Sequence, residues 1–372
     1  MTSVQLSLGS NLGNRLVYLQ RAVDALHASV GTLTAISKIY ETPAWGFEGA
    51  HFYNCCVTVQ TSYTTKEVLY KLWRIEGSLG RTRHKETGYT GRVIDLDILF
   101  SSEGVIATGE LVVPHPLLQD RKFVLLPLAA IAPALIHPKL GLTVATLLAH
   151  TTDMTTPVLV DQVLQNPKQQ YNFSPLQYMV LEGNIGVGKT SLAQLMQREF
   201  SAKLMLERFE DNPFLPKFYK NPKRYAFPLA LSFLADRYQQ WSEAIAQHDL
   251  FKDFVVSDYH VFKSLIFAEI TLSSDEFRRY KRFFDILYQE LIKPGLYVYL
   301  YKNSSNLLAN IRKRGRGYEQ EITVAYLEKI HQGYMQFIKR HPELSVRIID
   351  VTDRDFVNKR EDFVWLLEQI NP

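Results

Sequence analysis

Cysteine is nearly missing from this chain: there are two in 372 residues, Cys55 and Cys56, and they are neighbours. Adjacent Cα atoms lie ~3.8 Å apart across a trans peptide, short of the usual disulfide span. That excludes a disulfide framework, and two cysteines without partner spacing argue against a structural zinc site. The pair reads as buried thiols on a strand in a reducing compartment. Long apolar runs are missing too. None reaches the ~18 residues that a membrane span needs, and Met1-Thr2-Ser3-Val4 lacks the basic-then-apolar opening of a secretory signal. A cytoplasmic protein with no membrane partner is expected. Excess charge is also lacking. A net charge of +4, from 42 basic and 38 acidic residues, is too balanced to imply nucleic acid. No internal repeat or low-complexity tract is present. What remains has the composition of an ordinary globular protein, at a length where two domains are the default.

Residues Gly183 to Thr190 read Gly-Asn-Ile-Gly-Val-Gly-Lys-Thr, the phosphate-cradling pattern G-x-x-x-x-G-K-[ST]. Val180 and Leu181 before it pattern as a strand, and Ser191 to Phe200 after it as a helix. Gly183, Gly186 and Gly188 let backbone N–H groups close on phosphate oxygens at a helix N-terminus. Lys189 would reach the β- and γ-phosphates of ATP and the Thr190 hydroxyl would hold Mg²⁺. A P-loop opens its fold, so a kinase-like domain begins near Tyr178. The expected architecture is an α/β P-loop kinase with a parallel sheet and helical surround. The next strand, Lys203 to Leu206, ends at Glu207, the candidate base for a hydroxyl acceptor.

The half in front alternates strands and helices. Val4, Leu6 and Leu8 alternate as in a strand, and Leu16, Leu19, Val23 and Leu26 recur at helical spacing. A strand over Asn54 to Gln60, a helix over Thr65 to Gly77 and a strand over Val93 to Phe100 follow. An α+β, ferredoxin-like sandwich is expected. Periodicity fades over 151–175. The first domain is placed at 1–160, a linker at 161–176 and the second domain at 177–372, with the boundary near Gln170.

Within Arg92-Val93-Ile94-Asp95-Leu96-Asp97-Ile98-Leu99, strand alternation turns Asp95 and Asp97 the same way and Ile94, Leu96 and Ile98 into a core. Two carboxylates on one face repel unless a cation lies between them. Oxygen ligands suit Mg²⁺, which suits ATP. Arg81, Arg83, His84, Lys85 and Arg92 crowd the approach.

Both halves resemble known families. The segment Glu207-Arg208-Phe209-Glu210-Asp211-Asn212-Pro213-Phe214-Leu215, with Tyr219-Lys220-Asn221-Pro222, Phe267-Ala268 and Arg312-Lys313-Arg314-Gly315-Arg316-Gly317-Tyr318-Glu319, resembles bacterial deoxynucleoside kinases. That resemblance implies that Glu207 deprotonates a nucleoside 5′-hydroxyl and that Tyr219 and Glu319 hold the sugar 3′-hydroxyl. It also implies that Arg314 and Arg316 close over ATP, that Asp350 to Phe356 contacts adenine, and that Arg237 lies at the nucleoside. Three departures affect base recognition and the acid-Arg-Ser triplet. Ala230 stands where the family has Gln. Ser257-Asp258-Tyr259 lacks the family's Arg, leaving Asp258 to bind Mg²⁺ or steady Glu207. Lys263 replaces a base-reading Asp of some relatives.

The first half, from about Val4 to His150, resembles 6-hydroxymethyl-7,8-dihydropterin pyrophosphokinase. The resemblance rests on Gly9-Ser10-Asn11-Leu12-Gly13, Tyr40-Glu41-Thr42-Pro43, Phe52-Tyr53-Asn54, Arg74-Ile75-Glu76, Val113-Pro114-His115 and Arg121-Lys122-Phe123. It implies that Asp95 and Asp97 bind Mg²⁺ and that Thr42, Pro43, Trp45, Phe52, Asn54 and Phe123 form a pterin slot. Without it, Phe52 and Phe123 would read as core. It further implies that Glu76, Arg83, His115 and Arg121 serve ATP and that Arg81 and Arg92 ride mobile loops. Gly88-Tyr89-Thr90-Gly91 replaces the Trp and Gly-Pro found there in the family.

The reading is a bifunctional Mg-ATP-dependent transferase. One half diphosphorylates the pterin alcohol and the other phosphorylates a deoxynucleoside, and a homodimer forms through the kinase half, for which Phe227 to Tyr238 is the candidate helix or else core. The alternatives are that one half, the C-terminal by preference, is an inactive docking module, or that this half acts on nucleoside monophosphates.

Overall fold

A computed structural model describes residues 1–81, 91–208, 212–246, 253–288 and 293–371. The chain divides into two compact units, Met1–Tyr171 and Asn172–Pro372.

The first unit runs β1 (Thr2–Ser10), α1 (Arg15–Ser29), β2 (Thr32–Ile36), β3 (Tyr40–Thr42), β4 (Phe52–Thr61), α2 (Thr65–Ser78), β5 (Asp95–Ser101), β6 (Ile106–Ala107), β7 (Val112–Val113), α3 (Lys122–Ile131), α4 (Val144–His150) and β8 (Val158–Leu159). Six strands make one sheet in the order β5-β1-β4-β3-β8, with β2 also on β4. All its pairings are antiparallel. Val4, Leu6 and Leu8 of β1 pack with Leu19, Val23 and Leu26 of α1 and with Val68 and Leu72 of α2. On the other face Leu99 and Phe100 pack against Val124, Leu125 and Leu128 of α3. The sheet is thus covered on both sides, which is why β1 is buried almost throughout. Helix starts are set locally: Asn14 caps α1, and Thr64 with Glu67 makes a capping box at α2. The segment of faded periodicity carries β8 on the edge of the sheet, and Leu164 and Tyr171 are buried.

The second unit runs β9 (Tyr178–Gly183), α5 (Lys189–Glu199), β10 (Ala202–Met205), α6 (Leu215–Lys220), α7 (Pro222–Ala246), β11 (Phe254–Ser257), α8 (Lys263–Thr271), α9 (Ser274–Leu287), β12 (Leu296–Tyr301), α10 (Ser304–Arg314), α11 (Val324–Arg340), β13 (Val346–Asp350) and α12 (Arg360–Ile370). Its five strands lie in the order β10-β11-β9-β12-β13 and all pair in parallel. The strand order reverses at β9, and in open parallel sheets ligands bind outside the carboxyl ends of the strands at such a point. The expected P-loop lies there. Met179, Val180 and Leu181 are fully buried, as a central parallel strand requires. In α7, Leu229 and Leu234 are buried, and Ala230 and Leu231 pack on the cluster that holds Tyr280 and Phe284 of α9. The stretch Phe227 to Tyr238 thus meets the core through Leu229, Ala230, Leu231 and Leu234 and is otherwise mostly half-buried, while Tyr238, Phe283 and Ile286 are exposed. Among the described residues no helix is long and apolar enough to cross a membrane.

The P-loop helix α5 is fastened at its far end. Arg360, opening α12, donates to both oxygens of Glu199 at 2.7 and 2.9 Å. The Glu199 side chain is 3% exposed. Truncating one member of such a pair strands a buried charge. Arg360→Ala should lower the stability of the second unit by about 3–5 kcal/mol, and a Glu199→Leu/Arg360→Leu pair should recover most of it. Equilibrium denaturation measures both; a loss below ~1 kcal/mol for Arg360→Ala would show the pair to be dispensable.

Candidate active sites

The first unit holds a cavity of about 320 Å³ at one end of its sheet. Register builds it. Asp95 lies opposite Gly9 and Asp97 opposite Ser7 on β1, while Gly9 lies opposite Asn54 on β4. A Cβ at Gly9 would stand 3.0 Å from the Asn54 side chain and 3.6 Å from the Phe52 ring, so glycine keeps this floor open. Asp95 and Asp97 share the cavity, and Leu96 and Ile98 point into the α1/α2 core. Thr42, Pro43, Trp45, Phe52, Asn54 and Phe123 all line the cavity, with His115, Arg121 and Arg92. Asn54 Nδ2 donates to Thr42 Oγ1 at 2.8 Å, which fixes two buried polar groups against each other. The Arg121 guanidinium lies 4.8 Å from the Trp45 ring centre and 5.7 Å from that of Phe123.

The cations of this site rest on its anions. Arg81 Nη1 bonds Asp95 Oδ1 at 2.5 Å and also pairs with Glu76, and Arg92 pairs with the other Asp95 oxygen. Glu76 does not line the cavity. It is buried, accepts the Leu96 N–H at 2.9 Å and anchors both the strand and Arg81. Burial, and then the neighbouring Asp95, push the Asp97 carboxyl up to about 7. Burial, with Arg121 nearby, brings His115 down to about 4, so its ring is neutral near pH 7, and its Nδ1 accepts the Leu117 N–H. Arg83, His84, Lys85 and Tyr89 lie outside the described residues. The sequence reading missed Phe47, a cavity wall whose ring meets that of Phe52 edge-on at 6.2 Å. Its only sequence signal is its place two residues beyond Trp45.

The second unit holds a cavity of about 660 Å³ beside the P-loop. Gly188 opens α5 with φ +105°, a left-handed conformation that favours glycine. A Cβ there would also come within 2.8 Å of the Phe356 ring. Gly186, Gly188, Lys189 and Thr190 line the cavity, whereas Gly183 ends β9 against Leu300. Lys189 Nζ donates to the Gly183 and Asn184 carbonyls at 2.8 and 3.0 Å. Burial, and then Lys263, lower Lys189 to about 8. Thr190 Oγ1 bonds one oxygen of Asp258, and the other accepts the Glu207 N–H at 2.8 Å. Asp258 therefore links the P-loop hydroxyl to the backbone that carries Glu207.

Glu207 is held by two cations. Arg237 Nε lies 3.1 Å from its Oε1, with a second contact from Nη2, and Lys263 Nζ lies 2.5 Å from its Oε2. Burial alone would raise this carboxyl; Lys263 and then Arg237 outweigh it and bring it down to about 2. Tyr219, Arg314, Arg316 and Glu319 complete one wall. Arg314 Nε donates to Glu319 at 3.1 Å, and Tyr219 stacks on Tyr318. Asp350 and Phe356 do not line this cavity. Asp350 accepts the Thr352 N–H, and Phe356 is buried beneath Gly188. Sequence reading also passed over Phe233 and Tyr280 in the lining and the grip of Lys263 on Glu207, 56 residues away. No local spacing signals such a pair.

A glycine nest at a helix N-terminus, its lysine and hydroxyl, and a carboxylate opposite define a P-loop phosphoryl transferase. Comparison sharpens this. Residues 179–372 match the family "Deoxynucleoside kinase", and residues 5–133 match "7,8-dihydro-6-hydroxymethylpterin-pyrophosphokinase". "Deoxyguanosine kinase" of Bacillus subtilis is 39% identical over 191 residues, which cover 50% of this chain and 92% of that one. "2-amino-4-hydroxy-6-hydroxymethyldihydropteridine pyrophosphokinase" of Aquifex aeolicus is 40% identical over 139 residues, covering 37% and 85%, and that of Bacillus subtilis is 45% identical over 128 residues, covering 34% and 75%. The chain belongs to both families: it joins a pterin pyrophosphokinase to a deoxynucleoside kinase.

The donors fit Mg²⁺. Asp95 and Asp97 in one unit, and Thr190 with Asp258 in the other, offer hard oxygen atoms, and a divalent cation would offset the burial and the Asp95 repulsion that hold Asp97 up. A proton and a metal then compete for Asp97. Its carboxyl titrates near 7 in the folded chain and below 4 when unfolded, so without metal its ionisation costs stability as pH rises through that window. Calorimetry of Mn²⁺ binding to the full chain should show affinity in the first unit falling below pH 7 as Asp97 takes up its proton; Asp97→Asn should weaken binding and flatten that dependence. An unchanged pH dependence in Asp97→Asn would reassign the titrating group.

Proposed function

We propose that the first unit transfers the pyrophosphoryl group of ATP to the hydroxyl of 6-hydroxymethyl-7,8-dihydropterin, releasing AMP, and that the second transfers the γ-phosphoryl of ATP to the 5′-hydroxyl of a 2′-deoxynucleoside. The observation that carries the first is the pair of carboxylates sharing one cavity with the Phe52 and Phe123 rings. In the second it is Glu207, tied through Asp258 to the P-loop threonine. The strand order, with β5 and β4 flanking β1 and α1 and α2 on one face, supports a ferredoxin-like first domain over 1–160. The segment 161–176 leads to the kinase domain, 177–372; its first part is not a free linker, because Leu164 packs in the first domain's core and the compact unit extends to Tyr171.

In the first site Phe52 and Phe123 take the two faces of the pterin ring, and Thr42, Asn54 and Trp45 with Pro43 take its edges. Asp95 and Asp97 would hold Mg²⁺, whose charge would neutralise the triphosphate. The neutral His115 donates from Nε2, and Arg121 stays charged; both serve ATP. Arg81 and Arg92 leave Asp95 for the phosphates, with Arg83 from the adjoining segment and Glu76 holding the approach. The two carboxylates are committed to cations, so positioning and charge supply most of the rate.

In the second site Glu207 receives the proton of the 5′-hydroxyl. Tyr219 and Glu319 hold the 3′-hydroxyl, and Arg237 closes the nucleoside end. The nest of Gly186 and Gly188 with Lys189 takes the phosphates, Gly183 ending the strand that leads into it, Thr190 and Asp258 would hold Mg²⁺, and Arg314 and Arg316 leave Glu319 for the γ-phosphate. Asp350 and Phe356 frame the adenine side. The deoxyguanosine kinase relative makes a purine deoxynucleoside the first acceptor to assay. The exposed Tyr238, Phe283 and Ile286 support a homodimer through this half.

Two substitutions test the partition. Asp97→Ala should reduce AMP release with the pterin alcohol at least ~10³-fold and leave nucleoside phosphorylation intact. Lys189→Ala should do the converse by a similar factor. Loss of both activities in either variant refutes separate sites. A second unit that turns over no deoxynucleoside but does turn over monophosphates contradicts the acceptor.

A further inference from the structure

Two cations grip Glu207, and they hold it differently. Arg237 alone gives Oε1 two N–H contacts, and its Nη1 is fixed in turn on the Ser264 hydroxyl. Lys263 then takes the remaining oxygen, Oε2. With both oxygens engaged, the carboxylate is a poor proton acceptor, so one partner must yield when substrate arrives. Arg237 is a planar fork held at both ends, whereas Lys263 is a point charge on a flexible stem. Lys263 opens α8, its side chain is 13% exposed, and it lines the cavity together with Lys189 and Thr190. Its ammonium lies one hydrogen bond from Oε2, the oxygen assigned to the 5′-hydroxyl. The stretch Ser257-Asp258-Tyr259 supplies no cation here. The Tyr259 hydroxyl lies 2.9 Å from the buried Gln240 amide.

We propose that Lys263 is a catalytic residue of the kinase half, exchanging Glu207 for the transferred phosphoryl group. This rests on the assignment of Glu207 as proton acceptor. When the 5′-hydroxyl takes Oε2, Nζ turns to a γ-phosphoryl oxygen on the side facing the acceptor, opposite Lys189. The O5′–P bond forms and the bond from the γ-phosphorus to the bridging oxygen breaks. ADP leaves with that electron pair, the hydroxyl proton passes to Glu207, and Lys263 stays protonated throughout.

Steady-state kinetics of the full chain with ATP and its best deoxynucleoside test this. Lys263→Met should lower kcat about 10²–10³-fold, with both KM values within about threefold of the parent. Lys263→Arg should recover at least about tenfold of the loss, and Lys263→Ala should gain rate with added ethylammonium. AMP release by the pterin site in the same samples normalises the amount of intact chain. A Lys263→Met kcat within about threefold of the parent, or a loss lying wholly in nucleoside KM, overturns the inference. If Lys263→Met does not fold, failure of Lys263→Arg to exceed Lys263→Gln does the same. A parent that phosphorylates deoxynucleosides but tolerates Lys263→Met removes this inference alone. A parent inactive on every nucleoside removes the assigned function with it.

Discussion

An extended strand turns every second side chain the same way, and in β5 this forces two carboxylates into one small cavity. The core behind fixes the register: Leu96 and Ile98 belong to the α1/α2 face, so Asp95 and Asp97 cannot leave theirs without turning aliphatic groups outward. The packing free energy of the sheet thus maintains an electrostatic conflict at its end. That conflict is what makes the place fit for a polyphosphate with its cation. The aromatic walls and the arginines are arranged around it.

Both halves handle unspent charge alike, although their folds differ. In the first, Arg81 and Arg92 rest on Asp95; in the second, Arg237 and Lys263 rest on Glu207, and Arg314 on Glu319. The cations of each cavity rest on acids of the same site, which spares the cavity a cluster of uncompensated charges. Binding is then an exchange of partners rather than a capture by free charges. Asp258 adds a mechanical link, joining the phosphate end of the kinase site to the acceptor end through a hydroxyl and a backbone N–H.

Local patterns were legible from the residues. The alternation in β1 and β5, the helical spacing of α1 and the Gly-Lys-Thr turn depend only on near neighbours, and helix and strand limits fell within a few residues of expectation. That Thr42, Pro43, Trp45, Phe52, Asn54 and Phe123 belong together was legible through resemblance, since Phe52 and Phe123 alone are indistinguishable from core; the structure brings them to one cavity. The misses are of one kind. Phe47 and the Lys263–Glu207 contact arise from distant segments meeting in space. Phe356, expected from its motif position at the adenine side, is buried beneath Gly188, behind the cavity rather than on its wall. Glu76 likewise works one layer behind its cavity, through Arg81 and the Leu96 N–H.

Cys55 and Cys56 sit side by side on β4, fully buried, and burial raises both thiols, Cys55 to about 12. They are the chain's only sulfhydryls, and both belong to the first unit. An alkylating reagent therefore meets a natural clock: the rate at which mass is added counts excursions of one half's interior into water and is blind to the other half. The protein thus carries, without engineering, a way to ask whether nucleotide seated in the kinase half changes how often its companion opens.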